Sequence, residues 1–200
     1  MSRRGGDALP KPHIEKRHYA QISLTGSLRI FYFPTKDSMP NNRRGFGRLA
    51  GDTLVGSTEK LSNPSFESSL TNWDTGAGGM TATVNTNSTY ITNGSKSVHL
   101  TWTNIDDTLG QNITTFTNGA TYLLTGDIRV ISGWVAIGIW DGAIGTNGEM
   151  IATEAFCQSS QFESFAVVFQ ATNTTLVFQL AAIYDFSDVY IDNLSIKRMN

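Results

Sequence analysis

The stretch Ser97-Val98-His99-Leu100-Thr101-Trp102-Thr103 alternates without a break: Val98, Leu100 and Trp102 fall on one face, and Ser97, His99, Thr101 and Thr103 on the other. Side chains of an extended chain point to opposite faces in turn, so this period of two predicts a half-buried β-strand. The same grammar runs on from there. After an Asn118-Gly119 turn, Tyr122, Leu124, Ile128 and Val130 alternate; the segment Trp134 to Trp140 follows, and a Gly-rich loop covers residues 141–148. Phe165, Val167 and Phe169 mark another strand, Leu176, Phe178 and Leu180 the next, and Val189 to Ile196 the last. Roughly eight short strands separated by turns predict an all-β fold of two packed antiparallel sheets, a β-sandwich or jelly roll.

Composition agrees. Charged residues make up only 16% of the 200-residue chain and Gly contributes 19 positions, with no convincing amphipathic helix. No segment is apolar for long enough to span a bilayer. The first thirty residues hold no apolar run of signal-peptide length, so the expected route to any outside location is assembly or lysis rather than standard secretion. Cys157 is the only cysteine, which excludes an intrachain disulfide and a Cys-based zinc site; it is expected to be a small hydrophobe in or beside a strand. The Asn-x-Ser/Thr triplets at Asn87, Asn93, Asn112, Asn173 and Asn193 are read as chance in so Asn-, Ser- and Thr-rich a chain.

Charge divides the chain near residue 60. Residues 1–60 carry eleven Lys/Arg against five Asp/Glu, a net of +6, while residues 61–200 carry four against twelve, a net of −8; together these give the formal −2. Such a split predicts a basic N-terminal arm, residues 1–60, and an acidic sandwich, residues 61–200. Within the arm, Ile22 and Leu24, a Thr25-Gly26-Ser27 turn, then Leu28, Ile30 and Tyr32 read as a short hairpin. Arg3, Arg4, Lys16, Arg17, Arg43, Arg44 and Arg48, with the apolar Leu28, Ile30 and Tyr32, are the expected anchoring residues, pairing with acidic surfaces or sheet edges of neighbouring subunits. The net −8 of the body argues against nucleic acid as the arm's partner.

The segment Leu61-Ser62-Asn63-Pro64-Ser65-Phe66-Glu67, followed by Leu70 and Trp73, resembles the opening of the jelly-roll carbohydrate-binding modules appended to xylanases and glucanases. Further matches come in order: Gly94-Ser95-Lys96-Ser97, Thr117-Asn118-Gly119-Ala120-Thr121-Tyr122, Phe169-Gln170-Ala171-Thr172, and Tyr190-Ile191-Asp192-Asn193-Leu194-Ser195. The resemblance covers about residues 61–198 and none of the arm. It is shared by domains on bacteriophage tail and capsid-surface proteins. It implies a core role for Trp73, and a structural calcium at the matching positions Glu67 and Asp192, whose hard oxygen ligands suit that ion. The alternative for these two carboxylates is hydrogen bonding to local backbone at the sandwich edge.

For binding, the strand Trp134-Val135-Ala136-Ile137-Gly138-Ile139-Trp140 is the best candidate. Val135, Ile137 and Ile139 face one side; Trp134 and Trp140 face the other, with only Ala136 and Gly138 between them. Two indoles flanking small residues could stack on pyranose rings, and Asp127, Arg129 and Asp141 could hydrogen-bond sugar hydroxyls. The alternative is that both tryptophans are covered by loops or a neighbouring subunit. The histidines His13, His18 and His99 form no plausible triad, and the pair Asp106-Asp107 is the kind any acidic domain offers, so no catalytic residue is assigned. The expectation is a non-catalytic structural protein, a bacteriophage virion component such as a capsid decoration, fibre or tail-accessory module, alone or as a homo-oligomer; the alternative is a carbohydrate-binding protein using Trp134 and Trp140.

Overall fold

The computed structural model describes residues 58–76, 79–105, 107–142, 144 and 149–199, and the backbone of two strands at 19–24 and 27–32. Those two strands, β1 (Tyr19–Leu24) and β2 (Ser27–Tyr32), form an antiparallel ladder with Tyr19 opposite Tyr32 and Leu24 opposite Ser27. The proposed anchors Arg3, Arg4, Lys16, Arg17, Arg43, Arg44 and Arg48, and the side chains of Leu28, Ile30 and Tyr32, lie outside the described residues.

Alternation builds the rest. The strands are β3 (Met80–Asn85), β4 (Ser97–Trp102), β5 (Thr108–Ile113), β6 (Thr121–Ser132), β7 (Trp134–Asp141), β8 (Met150–Cys157), β9 (Glu163–Gln170), β10 (Leu176–Ala182) and β11 (Asp188–Arg198). They form a four-stranded sheet in the order β5-β10-β7-β8 and a five-stranded sheet in the order β3-β4-β11-β6-β9, with every pairing antiparallel. The fold is the two-sheet sandwich that the alternation predicts.

The inward positions are the apolar ones. Val98, Leu100, Leu124, Ile128, Ile137, Ile139, Phe178, Leu180, Val189 and Ile191 each expose none of their surface. Trp73 and Trp102 are buried as expected: Trp73 packs against Phe66 and edge-on against Phe178, and the Trp102 indole N–H donates to Asp107 O at 2.8 Å. Each indole donor therefore keeps a partner inside the core, since Trp73 Nε1 likewise donates to Asn63 O at 3.0 Å.

One connection sets up the two outer surfaces. Consecutive strands β6 and β7 belong to different sheets, because Gly133 turns the chain across the sandwich instead of closing a hairpin. Its φ is +79°, and a Cβ there would lie 2.3 Å from Ser187 Oγ, so only glycine fits the corner. What lies on the outside of β6 is thereby placed on the opposite side of the molecule from what lies on the outside of β7.

Candidate functional site

The outer face of the four-stranded sheet is laid out by its register. Trp140 sits beside Val177, Gly138 beside Gln179 and Ala136 beside Ala181 on β10, while on β8 their neighbours are Met150, Thr153 and Ala155. Beyond β10, Gly110 and Thr108 of β5 continue the rows of Gln179 and Ala181. The middle of this face is thus paved with Gly, Ala and Thr, and an indole stands at either end. Five residues of strand, six steps along it, separate Trp134 from Trp140, a span of about 20 Å. Both tryptophans are half-buried.

Each feature of this floor has a local cause. A Cβ at Gly138 would come within 2.1 Å of Ala152 O and 2.9 Å of Thr153 Cα, so β7 and β8 approach too closely there for any side chain. Over Gly110 lies the Ile144 side chain from the β7–β8 loop, whose backbone N–H donates to Asn112 Oδ1 at 3.3 Å. That loop is closed at its base by Asp141 N–H donating to Glu149 O at 2.8 Å. At the other end, Trp134 meets Tyr184 edge-on at 6.1 Å, and Ser187 Oγ holds this corner, lying 3.1 Å from Trp134 O and 2.8 Å from Tyr184 O. Phe186, next along, is 74% exposed with φ +61°.

Gln179 is the polar residue that stands out. Only 4% exposed, it lies between two glycines, and its side-chain amide has no hydrogen-bond partner among the described residues. Gln111, the comparable buried glutamine on the inner side, is satisfied: its Oε1 accepts from Ser62 N–H at 2.7 Å and its Nε2 donates to Ser62 O and Asn72 O. The Gln179 amide atoms are not shut off from solvent, so water or a ligand can meet the group that the protein leaves unpaired. Gln179, Tyr184 and Phe186 were not singled out from sequence. The alternation of Leu176, Phe178 and Leu180 carried the signal for Gln179, because inward neighbours put it on the outer face.

The remaining expected sugar contacts separate. Asp141 ends β7 and accepts from Thr172 Oγ1 at 3.2 Å, close to Trp140 in the chain. Asp127 and Arg129 do not join it: both lie on the outside of β6, in the five-stranded sheet, and the corner at Gly133 carries them to the opposite face of the sandwich. There Asp127 accepts from Thr92 Oγ1, Ser164 Oγ and Asn193 Nδ2.

Glu67 and Asp192 both close on the loop that precedes β4. Glu67 Oε1 accepts from the backbone N–H groups of Ser95 and Lys96 and its Oε2 from Ser95 Oγ. Asp192 Oδ2 accepts from the N–H groups of Thr92 and Asn93 and from Thr92 Oγ1, and its Oδ1 from Asn193 N–H. Donor protons therefore point at the oxygens a cation would need. The described residues contain no group of three or more His, Cys, Asp or Glu able to hold a metal. Both carboxylates are engaged by donors of this loop, which is the arrangement of the backbone-binding alternative. The Ser95 hydroxyl and then the Ser95 amide hold the Glu67 carboxyl below its usual range.

No family model matches this chain, and no curated protein matches it in sequence. No helix among the described residues is long and apolar enough to cross a membrane. Solved structures share the fold. The enzymatically active domain of bacteriophage CBA120 tailspike protein 4 superposes with a TM-score of 0.56 at 16% identity, over 70% of this chain and 21% of that one, so the match spans about a fifth of the tailspike chain. TmCBM61, solved with β-1,4-galactotriose, gives 0.55 at 14% identity over 71% of this chain and 99% of that one. The CBM22-1 xylan-binding domain of Paenibacillus barcinonensis Xyn10C gives 0.55 at 17% identity, over 71% and 95%. The sandwich is therefore similar in fold to jelly-roll carbohydrate-binding modules and to a phage tailspike domain.

Proposed function

We propose that this chain is a non-catalytic glycan-binding module whose ligand lies on the outer face of the four-stranded sheet. The observation that carries this is the Gln179 amide, without a partner among the described residues, on a floor of small residues between Trp134 and Trp140. A neutral sugar chain suits that arrangement: its C–H faces stack on indoles, and its hydroxyls supply the hydrogen bonds that Gln179 lacks. Asp141, Tyr184 and Phe186 border the same face and would contact the ends of a longer chain. The test is retention on a panel of immobilised neutral polysaccharides. Wild type is expected to be retained on at least one, and the double variant Trp134→Ala/Trp140→Ala to pass through while still folding; a folded double variant with unchanged retention would sink the proposal.

A second reading concerns where the module works. The likeness to a tailspike domain and the change of charge near residue 60 favour a bacteriophage virion component, a capsid decoration, fibre or tail-accessory protein, anchored to neighbouring subunits by residues 1–60. The two readings are compatible. Deleting residues 1–45 should prevent incorporation into particles, and high salt should weaken attachment; unchanged incorporation would reject the anchoring role.

A further inference from the structure

On the opposite side of the sandwich, the outer face of the five-stranded sheet carries a ladder of aromatic rings ending in a cation. His99 on β4 and Arg129 on β6 flank Tyr190 on β11. The Tyr190 ring is stacked at 4.3 Å and 8° on His99 and at 4.0 Å and 11° on Tyr90, and the Arg129 guanidinium lies 5.0 Å from the centre of the Tyr90 ring. Cation–π contact holds the guanidinium in place without neutralising it.

Among the described residues nothing neutralises it either. Arg129 makes no hydrogen bond or ion pair among the described residues, and its Nε is the one buried, unsatisfied side-chain polar atom among them. The nearby carboxylates are engaged elsewhere: Asp127, two positions away on the same face, receives its three donors, and Asp188 sits 2.8 Å from His99 Nε2. The phenol oxygens of Tyr90 and Tyr190 also lack partners among the described residues. Burial and then the neighbouring Tyr90 and Asp188 push the Tyr190 phenol above its ordinary value, so at neutral pH it is a donor. In a body of net charge −8 with four basic residues, one arginine is thus free of every carboxylate among the described residues, beside two phenols that also lack partners among them.

We infer that this face is a second ligand site, in which Arg129 receives the carboxylate of an acidic sugar ring of the uronate kind and the hydroxyls of Tyr90 and Tyr190 hydrogen-bond the same group. A single guanidinium calls for a single negative charge, and the acidic body would repel a polyanion such as nucleic acid. The carboxylate rests on Arg129 and its surroundings; the sugar rests on the proposed glycan-binding function.

Calorimetric titration of the full chain with trigalacturonate, β-1,4-galactotriose and sodium sulfate tests it. Trigalacturonate should bind more tightly than either comparator by about tenfold or more, the usual worth of a charge-assisted hydrogen bond. Arg129→Ala should abolish that preference, and Tyr90→Phe, which keeps the stack, should weaken it several-fold. Trp134→Ala/Trp140→Ala should leave it intact: loss of neutral-glycan retention beside a preserved uronate preference would support both faces as separate sites, whereas unchanged neutral-glycan retention beside that preference would count against the four-stranded face alone. Absence of the preference, its survival in Arg129→Ala, or sulfate binding as tightly as trigalacturonate would overturn the inference.

Discussion

Asp192 shows how much one side chain can organise. Fully buried, it accepts hydrogen bonds from the amides of Thr92, Asn93 and Asn193 and from the Thr92 hydroxyl, fixing the loop before β4 against the last strand. Asp192→Asn converts one acceptor oxygen into a donor facing other donors, and is expected to cost about 2–3 kcal/mol in denaturant unfolding, equally with or without added calcium. Stabilisation of wild type by millimolar calcium would contradict the hydrogen-bond assignment. Glu67 makes a pH-dependent contribution. Its folded pKa is depressed below the ordinary glutamate value by the Ser95 hydroxyl and amide, so its stabilising effect is present above that ordinary value and is lost as pH falls through the lower, folded one. The difference in melting temperature between wild type and Glu67→Gln should be constant near neutrality and vanish in acid. The two positions were legible through resemblance, but their partners were not, because backbone amides of a loop leave no trace in residue type.

At the level of the element, the strands that sequence alternation picked out are the interior ones, β4, β6, β7, β10 and β11, together with β9. Those it passed over, β3, β5 and β8, are sheet edges. An edge strand need not present apolar residues at every inward position: β5 turns Gln111 inward and satisfies it with Ser62 and Asn72, and β8 places Glu154 opposite the inward Ile137. Polar residues at these positions erase the period of two. Desolvation, with the neighbouring Glu163 charge, pushes the Glu154 carboxyl up, so the folded state favours its protonated form and loses that contribution as pH rises through the raised pKa. Glu154→Gln should therefore raise the melting temperature at neutral pH and leave it unchanged in acid. Strand β7 was read in the correct orientation, with Val135, Ile137 and Ile139 fully buried and both tryptophans on the far face. Accordingly, Trp102→Ala should cost about 3–5 kcal/mol of unfolding free energy. Trp134→Ala or Trp140→Ala, on the outer face, should cost far less in the same measurement.

Over the whole molecule, the sandwich has two outer faces of different chemistry. One is paved with small residues between indoles and holds an amide without a partner among the described residues; the other stacks three rings beside an arginine that has no ion pair among them. Sequence reading merged parts of both by placing Asp127 and Arg129 with the tryptophans, because residues close in the chain on either side of Gly133 look close in space. The sheet-crossing corner separates them, and a single glycine at 133 is too common a signal to have revealed it. For a glycan lying across Trp134, Gln179 and Trp140, as proposed, the four indole N–H signals of the chain give an internal control. In a titration with neutral oligosaccharides followed by nuclear magnetic resonance, the signals of Trp134 and Trp140 and the Gln179 side-chain amide should move together, while those of Trp73 and Trp102, hydrogen-bonded in the core, stay fixed. Oligosaccharide-induced shifts confined to the five-stranded sheet, or binding that leaves both outer indoles unmoved, would contradict the account.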